Sequence, residues 1–271
     1  MRVLDLFSGI GGFSLGLERA GMETVAFCEI SPVCRHLLAH HWPHVPCFDD
    51  VTTLTGEQVG PVDVICGGFP CQDISFAGKG AGLAGERSGL WREYARLVRE
   101  LRPAFVIVEN VAALLGRGLG DVLGDLAALG YDAWWDCIPA SAVGAPHRRD
   151  RLWIVAYARG QQHEGYGDAL RREIAAGLSR AAMADAESDR RDQGHANAGR
   201  RRCGGRPEQG SGPWSGSWWL VEPDVGRVAH GVPARVDRLH GLGNAVVPQI
   251  PEILGRAIIA ATNPVLEEQA A

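Results

Sequence analysis

The 271-residue chain is 46% hydrophobic and 22% charged, enough to bury one large core with a smaller lobe beside it. Its net charge of −5 lends no weight to nucleic-acid binding by itself, although arginines gather at Arg148, Arg149 and Arg151 and again at Arg200 to Arg202. Seven cysteines, an odd number without paired C-x-x-C spacing, point to reduced thiols in a cytosolic protein and away from a zinc site. No apolar run is long enough to span a bilayer, and the strand-like opening Met1 to Asp5 does not read as a signal peptide.

In chain order, Val3 to Phe7 reads as a buried strand, Ser8 to Gly12 as a glycine loop and Phe13 to Gly21 as a helix with a glycine stop. A glycine loop lets a ligand lie against backbone, and the helix N-terminus behind it offers free N–H groups. Thr24 to Cys28 forms the second strand and ends on Glu29, about 20 residues past the loop, where dinucleotide-type folds place the acid that binds ribose hydroxyls. The pair favours an adenosine-containing ligand over a plain turn. A short helix at Val33 to His41 leads to another acid near a strand end, Asp50, which could equally serve as an Asx turn or helix cap.

The run Val62 to Cys66 is a strand, and Gly67-Gly68-Phe69-Pro70 then turns sharply onto Cys71. A thiol just beyond such a strand is presented to a bound molecule, although a free cysteine is more often a small buried residue. The glycine-dense segment Ser75 to Gly85 reads as a mobile loop beside the thiol and a lid over it. Trp91, Tyr94, Leu97, Val98 and Leu101 form the packing stripe of a helix over 90–101. Ala104 to Val108 is the next buried strand and ends in Glu109-Asn110-Val111, so two strands bring a thiol and a carboxylate to one sheet edge. A helix over 120–129 and a strand over 132–138 follow. Arg149 and Arg151 then alternate in an extended segment leading into the strand Leu152 to Ala156, which should aim both from one face. From about Tyr157 to Leu220 the pattern becomes irregular and partly disordered, with a short helix over 168–180 and tryptophans at 214, 218 and 219. A last helix, Pro248 to Ala261, has apolar spacing that packs it back on the main body.

Five segments in this order, Asp5 to Gly12, Gly68-Phe69-Pro70-Cys71-Gln72, Glu109-Asn110-Val111, Arg149-Asp150-Arg151 and Gly243-Asn244-Ala245-Val246, resemble the motifs of the C5-cytosine DNA methyltransferases, in their compact bacterial or phage-type form. The resemblance implies a doubly wound, mostly parallel α/β sheet of Rossmann-like type. Residues 1–156 with 240–265 would be the catalytic domain, and 157–239 a small variable region for target recognition. It implies S-adenosyl-L-methionine as cofactor, S-adenosyl-L-homocysteine as product, and no metal. By motif, Phe7, Gly9, Gly11, Gly12, Glu29, Asp50, Val51, Pro70, Leu90, Asn244 and Val246 would hold the cofactor. Cys71 would be the nucleophile, with Glu109, Arg149 and Arg151 completing the catalytic set and Gln72, Ser75, Arg149 and Arg151 on DNA. Where His147 stands the family commonly has glutamine. Double-stranded DNA is the implied partner of a monomer in a bacterial or phage-infected cell, with a cognate restriction endonuclease a further one. The same chemistry on tRNA, a non-catalytic relative that kept the fold, and an NAD-type oxidoreductase sharing only the glycine loop are the rival readings; the last leaves Pro70-Cys71-Gln72 unexplained.

Overall fold

The computed structural model describes residues 1–70, 89–160, 165–198 and 243–262. Runs of aliphatic and β-branched residues make its central strands, because a strand covered on both faces has no polar side to show. The strands are β1 (Arg2–Leu6), β2 (Glu23–Cys28), β3 (Cys47–Phe48), β4 (Val64–Gly67), β5 (Phe105–Val111), β6 (Tyr131–Pro139) and β7 (Asp150–Ala158). They lie in one sheet in the order β3-β2-β1-β4-β5-β7-β6. β1 pairs in parallel with β2 and β4, and β4 with β5, whereas β7 is antiparallel to both β5 and β6. From β1 the chain steps outward to β2 and β3, then returns to the other side of β1 with β4. That reversal creates a topological switch point at the carboxyl ends of β1 and β4, where an open α/β sheet leaves a ligand crevice.

The helices are α1 (Gly12–Arg19), α2 (Pro32–His41), α3 (Gly56–Val59), α4 (Gly89–Leu101), α5 (Leu114–Arg117), α6 (Leu119–Ala128), α7 (Tyr166–Ala198) and α8 (Gln249–Thr262). Strand alternation divides the interior in two. Leu4, Leu6, Ile65 and Val106 face α4 and α6, while Val3, Val64 and Ile107 face α1, α7 and α8. On the first side the expected α4 stripe is buried at Trp91, Tyr94, Leu97 and Val98. Trp91 Nε1 also donates to Asp125 Oδ2 of α6 at 2.8 Å. Each fully buried aliphatic side chain contributes roughly 1.5–3 kcal/mol, so two continuous apolar faces suffice to hold the helices on the sheet.

On the second side, glycines four apart on α1 make room for the carboxyl-terminal segment. A Cβ at Gly12 would come within 2.6 Å of the Val246 carbonyl oxygen, and one at Gly16 would run into Pro248 and Pro251. Gly255 on α8 reciprocates, since a Cβ there would sit 2.8 Å from that of Ala20.

The region expected to be irregular after Ala156 is more ordered than its composition suggests. β7 continues to Ala158, and the helix expected over 168–180 spans Tyr166–Ala198. Tyr166, Leu170 and Ile174 recur every fourth residue and are buried in the second core, so tertiary packing overrides a polar, arginine-rich composition. Cys71, Gln72, Ser75, the segment read as a lid, Arg200 to Arg202 and the tryptophans at 214, 218 and 219 lie outside the described residues. Among the described residues no helix is long and apolar enough to cross a membrane.

Candidate active site

Two clusters stand at the carboxyl edge of the sheet. The first is the turn after β1. Phe7, Gly9 and Gly11 all have positive φ, 53°, 54° and 84°, a conformation that comes readily to glycine and costs phenylalanine strain. A Cβ on Gly9 would meet nothing within 4 Å among the described residues, so those residues leave the loop open on that side. Gly11 is different, because a side chain there would strike the Trp42 ring at 2.7 Å. Glu29, at the end of β2, accepts the Gly9 N–H on Oε2 and the Ser31 N–H on Oε1, each at 2.7 Å. These bonds pin the carboxylate against the loop and leave each oxygen a further lone pair.

Asp50 is exposed, and its Oδ1 accepts from the Thr52 N–H at 2.8 Å and the Thr52 hydroxyl at 2.7 Å. Those bonds hold its carboxyl below the usual range. Val51 is buried, and Phe7 and Leu90 are half-buried against the α4 side of the core. Asn244 is exposed and Val246 half-buried. Sequence reasoning passed over Ile30, which is 76% exposed between Glu29 and Ser31. The available signal was an isoleucine directly after a strand-end acid and outside any element, where burial cannot explain it.

The second cluster lies beyond β4 and β5. Their register pairs Gly67 with Val108, which sets Gly68 against Glu109; a Cβ on Gly68 would be 2.8 Å from Glu109 Oε2. The Asn110 side-chain amide donates to the Phe69 carbonyl at 3.0 Å and fixes the turn that carries Phe69 and Pro70. Pro70, the last described residue before Cys71, is exposed. The Glu109 side chain is only 12% exposed, and Arg151 Nε stands 2.9 Å from its Oε1. Burial raises the Glu109 pKa, while the charges of Arg151 and Arg149 pull against that rise without cancelling it.

Arg149 departs from expectation. It is not extended but has φ of 33°, and β7 begins only at Asp150. Its Nη1 donates to the Gly243 carbonyl at 2.6 Å. Burial and the neighbouring Arg151 charge lower its pKa, with Glu109 opposing. Both arginines act electrostatically on Glu109, although they do not reach that neighbourhood by simple strand alternation. Because β1, β2, β4 and β5 are parallel, the two clusters face the same side of the crevice. A cavity of about 430 Å³ elsewhere, between β6 and α7, is lined by Trp134, Trp135, Arg171 and Ile174 and shares no residue with either cluster.

A mixed seven-stranded sheet with an antiparallel β7, carrying a glycine loop, a strand-end acid and paired arginines, has the Rossmann-like fold seen in a solved DNA modification methyltransferase. Residues 1–194 match the model of the C-5 cytosine-specific DNA methylases, and the chain belongs to that family, as its five motifs led us to expect. It is 35% identical over 164 residues to the Type II methyltransferase M2.BsuMI of Bacillus subtilis, a match covering 58% of this chain and 42% of that one. To the Type II methyltransferase M.Eco47II of Escherichia coli it is 38% identical over 161 residues, covering 57% and 39%. The matched stretch thus spans about two fifths of these relatives' length. The crystal structure of a DNA modification methyltransferase encoded within an E. coli prophage superposes with a TM-score of 0.52 at 30% identity, covering 59% of this chain and 47% of that one. Spodoptera frugiperda DNMT2 shares the fold, with a TM-score of 0.52 at 22% identity over 60% and 51% of the two chains.

Proposed function

We propose that the chain is a DNA cytosine-5 methyltransferase that moves a methyl group from S-adenosyl-L-methionine to C5 of a cytosine flipped out of duplex DNA. The observation that carries the reading is Glu109, a buried carboxyl with raised pKa, paired to Arg151 beside the turn that leads to Cys71. The described residues fit the cofactor. Gly9 presents open backbone, Glu29 keeps lone pairs for ribose hydroxyls, and the exposed Ile30 offers an apolar cover for a flat ring. Asp50 and Val51 would take the adenine edge, with Phe7, Gly11, Pro70, Leu90, Asn244 and Val246 around them. Gly12 would contribute only backbone, since Val246 fills the space its side chain would need. When bound, the cofactor supplies a methyl group made electrophilic by a sulfonium.

Cytosine C5 is too weak a nucleophile to attack unaided. The Cys71 thiolate would add to C6, forming a carbon–sulfur bond and pushing an electron pair into the ring. Glu109 would hold the N3 and N4 edge and share a proton with N3 as that charge builds, and its burial, which favours the neutral carboxyl, works toward that role. Arg151 would keep Glu109 in place and reach the O2 side, and Arg149 would meet the flipped nucleotide's phosphate. The positive charge of the pair would also favour the thiolate. After C5 has gained the methyl group, loss of the C5 proton to a base re-forms the double bond and expels the thiolate. A stacked base cannot expose C5 and C6 to these groups, so the nucleotide must leave the duplex.

Target recognition would fall to the part of 157–239 beyond the core-packed first turns of α7, with Gln72 and Ser75 also on DNA. Given relatives named Type II methyltransferases, a cognate restriction endonuclease is the further partner. The protein would work as a cytoplasmic monomer. The test is transfer from labelled S-adenosyl-L-methionine to mixed-sequence duplex DNA, with tRNA as the competing acceptor. We expect 5-methylcytosine in the duplex, none with Cys71→Ala, and a covalent adduct on 5-fluorocytosine DNA. Transfer to tRNA alone, or to neither acceptor, would overturn the reading.

A further inference from the structure

The two arginines at the mouth of the pocket do different things. Arg151 takes Glu109, with Nε 2.9 Å from Oε1. Arg149 reaches away, and its Nη1 donates to the carbonyl of Gly243, a residue 94 positions along the chain. Gly243 begins the segment that leads into α8. Three residues later, Val246 presses its carbonyl into the space left by Gly12, at the start of α1 and the end of the glycine loop. The segment 243–248 is therefore fastened at one end by a guanidinium from the pocket and seated at the other on the loop.

We propose that Arg149 is a positioning residue that latches the carboxyl-terminal segment to the nucleotide pocket and so couples that pocket to the cofactor loop. The inference rests on the functional reading above for the identity of the two ligands. A surface arginine that happens to touch a carbonyl is the bland alternative, and two further observations weigh against it. Arg149 adopts a left-handed backbone, φ of 33°, which an unbranched, non-glycine side chain keeps only where the surroundings impose it. Among the described residues the charges acting on it are Arg151, which repels it, and Glu109, which Arg151 already engages. A carbonyl oxygen offsets part of that repulsion, and a DNA phosphate would offset the rest. Guanidinium has five N–H donors in a fixed fork, so it can hold both acceptors together. A phosphate that orders Arg149 would thereby order segment 243–248 against Gly12, and cofactor and DNA would each tighten the other's binding.

Titration of S-adenosyl-L-homocysteine into the full chain without nucleic acid tests the latch apart from its contact with phosphate. For Arg149→Ala we expect affinity to fall by about fivefold or more, the lower end of ordinary site-to-site coupling. Arg149→Lys should also lose affinity, because an ammonium keeps the charge but not the fork. Arg151→Ala should change the titration less than either. Hydrogen exchange at Ala245, Val246 and Val247 should quicken in both Arg149 variants. Unchanged affinity and exchange in Arg149→Lys would overturn the latch, as would an equal loss in Arg151→Ala. If Arg149→Ala does not fold, the lysine variant decides alone. A wild-type chain that binds no S-adenosyl-L-homocysteine would instead sink the cofactor reading, and the exchange rates would then judge the latch by themselves.

Discussion

The turn after β1 and the strand-end cluster beyond β4 and β5 lie on the same edge of one sheet and are built from different materials. The first is backbone held by side chains: the Gly9 and Ser31 N–H groups converge on Glu29, and Ser14 Oγ donates to Asp5 Oδ2 at 2.7 Å beneath the loop. The second is side chains held by one another, Glu109 against Arg151 with Arg149 close enough to act on both. A site that binds one unchanging ligand can be made of fixed amides, which lose nothing by being rigid. A site where charge appears and disappears needs groups that carry protons and charge themselves.

The widest gap between the two should appear with Glu109→Gln. The amide can still hydrogen-bond the base edge but cannot pass a proton to it, so methyl transfer should fall roughly 10²- to 10⁴-fold. S-adenosyl-L-homocysteine affinity should change little, because none of the loop's bonds run through Glu109. An equal loss of cofactor binding would show that the clusters are not separable in this way.

Asp5 breaks the pattern from the other side, as an ionisable group buried under the backbone site. It is fully buried between β1, β4 and α1. Among the described residues, Oδ2 accepts from Ser14, Oδ1 finds no hydrogen-bond partner, and Cys66 faces it across the β1–β4 pairing. Burial, helped by the Glu29 charge and opposed by Ser14 and Cys66, raises its pKa from 3.8 to about 7. The folded protein therefore holds a proton there that the unfolded chain gives up near pH 4. Stability from this group is fully present below that pH and is lost as pH rises through about 7, by up to about 4 kcal/mol. Asp5→Asn, which stays neutral, should remove the decline. Denaturant unfolding at pH 5 and pH 8 should show the variant gaining on the wild type at the higher pH, and parallel losses would place the proton elsewhere.

Much of the first cluster was legible because glycines after a largely apolar strand and an acid at the next strand end are local patterns. The packing role of Gly12 and Gly16 was not legible, since a glycine that admits a neighbouring segment shows itself only once the neighbour is known. The start of α7 was hidden for a related reason. Tyr166, Leu170 and Ile174 have helical spacing, but Gly165, Gly167, Arg171 and Arg172 between and beside them make the composition look like linker. Glu109 could be found as a strand-end acid, whereas the left-handed backbone at Arg149 could not. Nothing near it in sequence asks for positive φ, and its partner Gly243 lies far along the chain.

The two kinds of glycine give the next contrast. Gly16→Ala would force a methyl group onto the backbone of Pro248 and Glu252, atoms that can move only if α8 moves. Overpacking of that kind costs about 1–3 kcal/mol, and a lower melting temperature should report it even at full cofactor occupancy.

Gly68→Ala should do the reverse. Its methyl group would meet Glu109 Oε2 at 2.8 Å, the oxygen opposite the one that Arg151 engages, so the carboxyl would have to turn about that ion pair to make room. Gly68 lacks the positive φ that would strain an alanine, so the smaller entropy of the unfolded chain offsets the crowding by about 0.4–1 kcal/mol. Stability should hold or rise slightly. In the proposed reaction, however, the displaced carboxyl would no longer meet the base edge in line, and misplacement of a reacting group by a fraction of an ångström should slow transfer about tenfold. Slower transfer at unchanged melting temperature would show that the second cluster depends on where its charges point; a parallel fall in both would return Gly68 to the role that Gly16 plays.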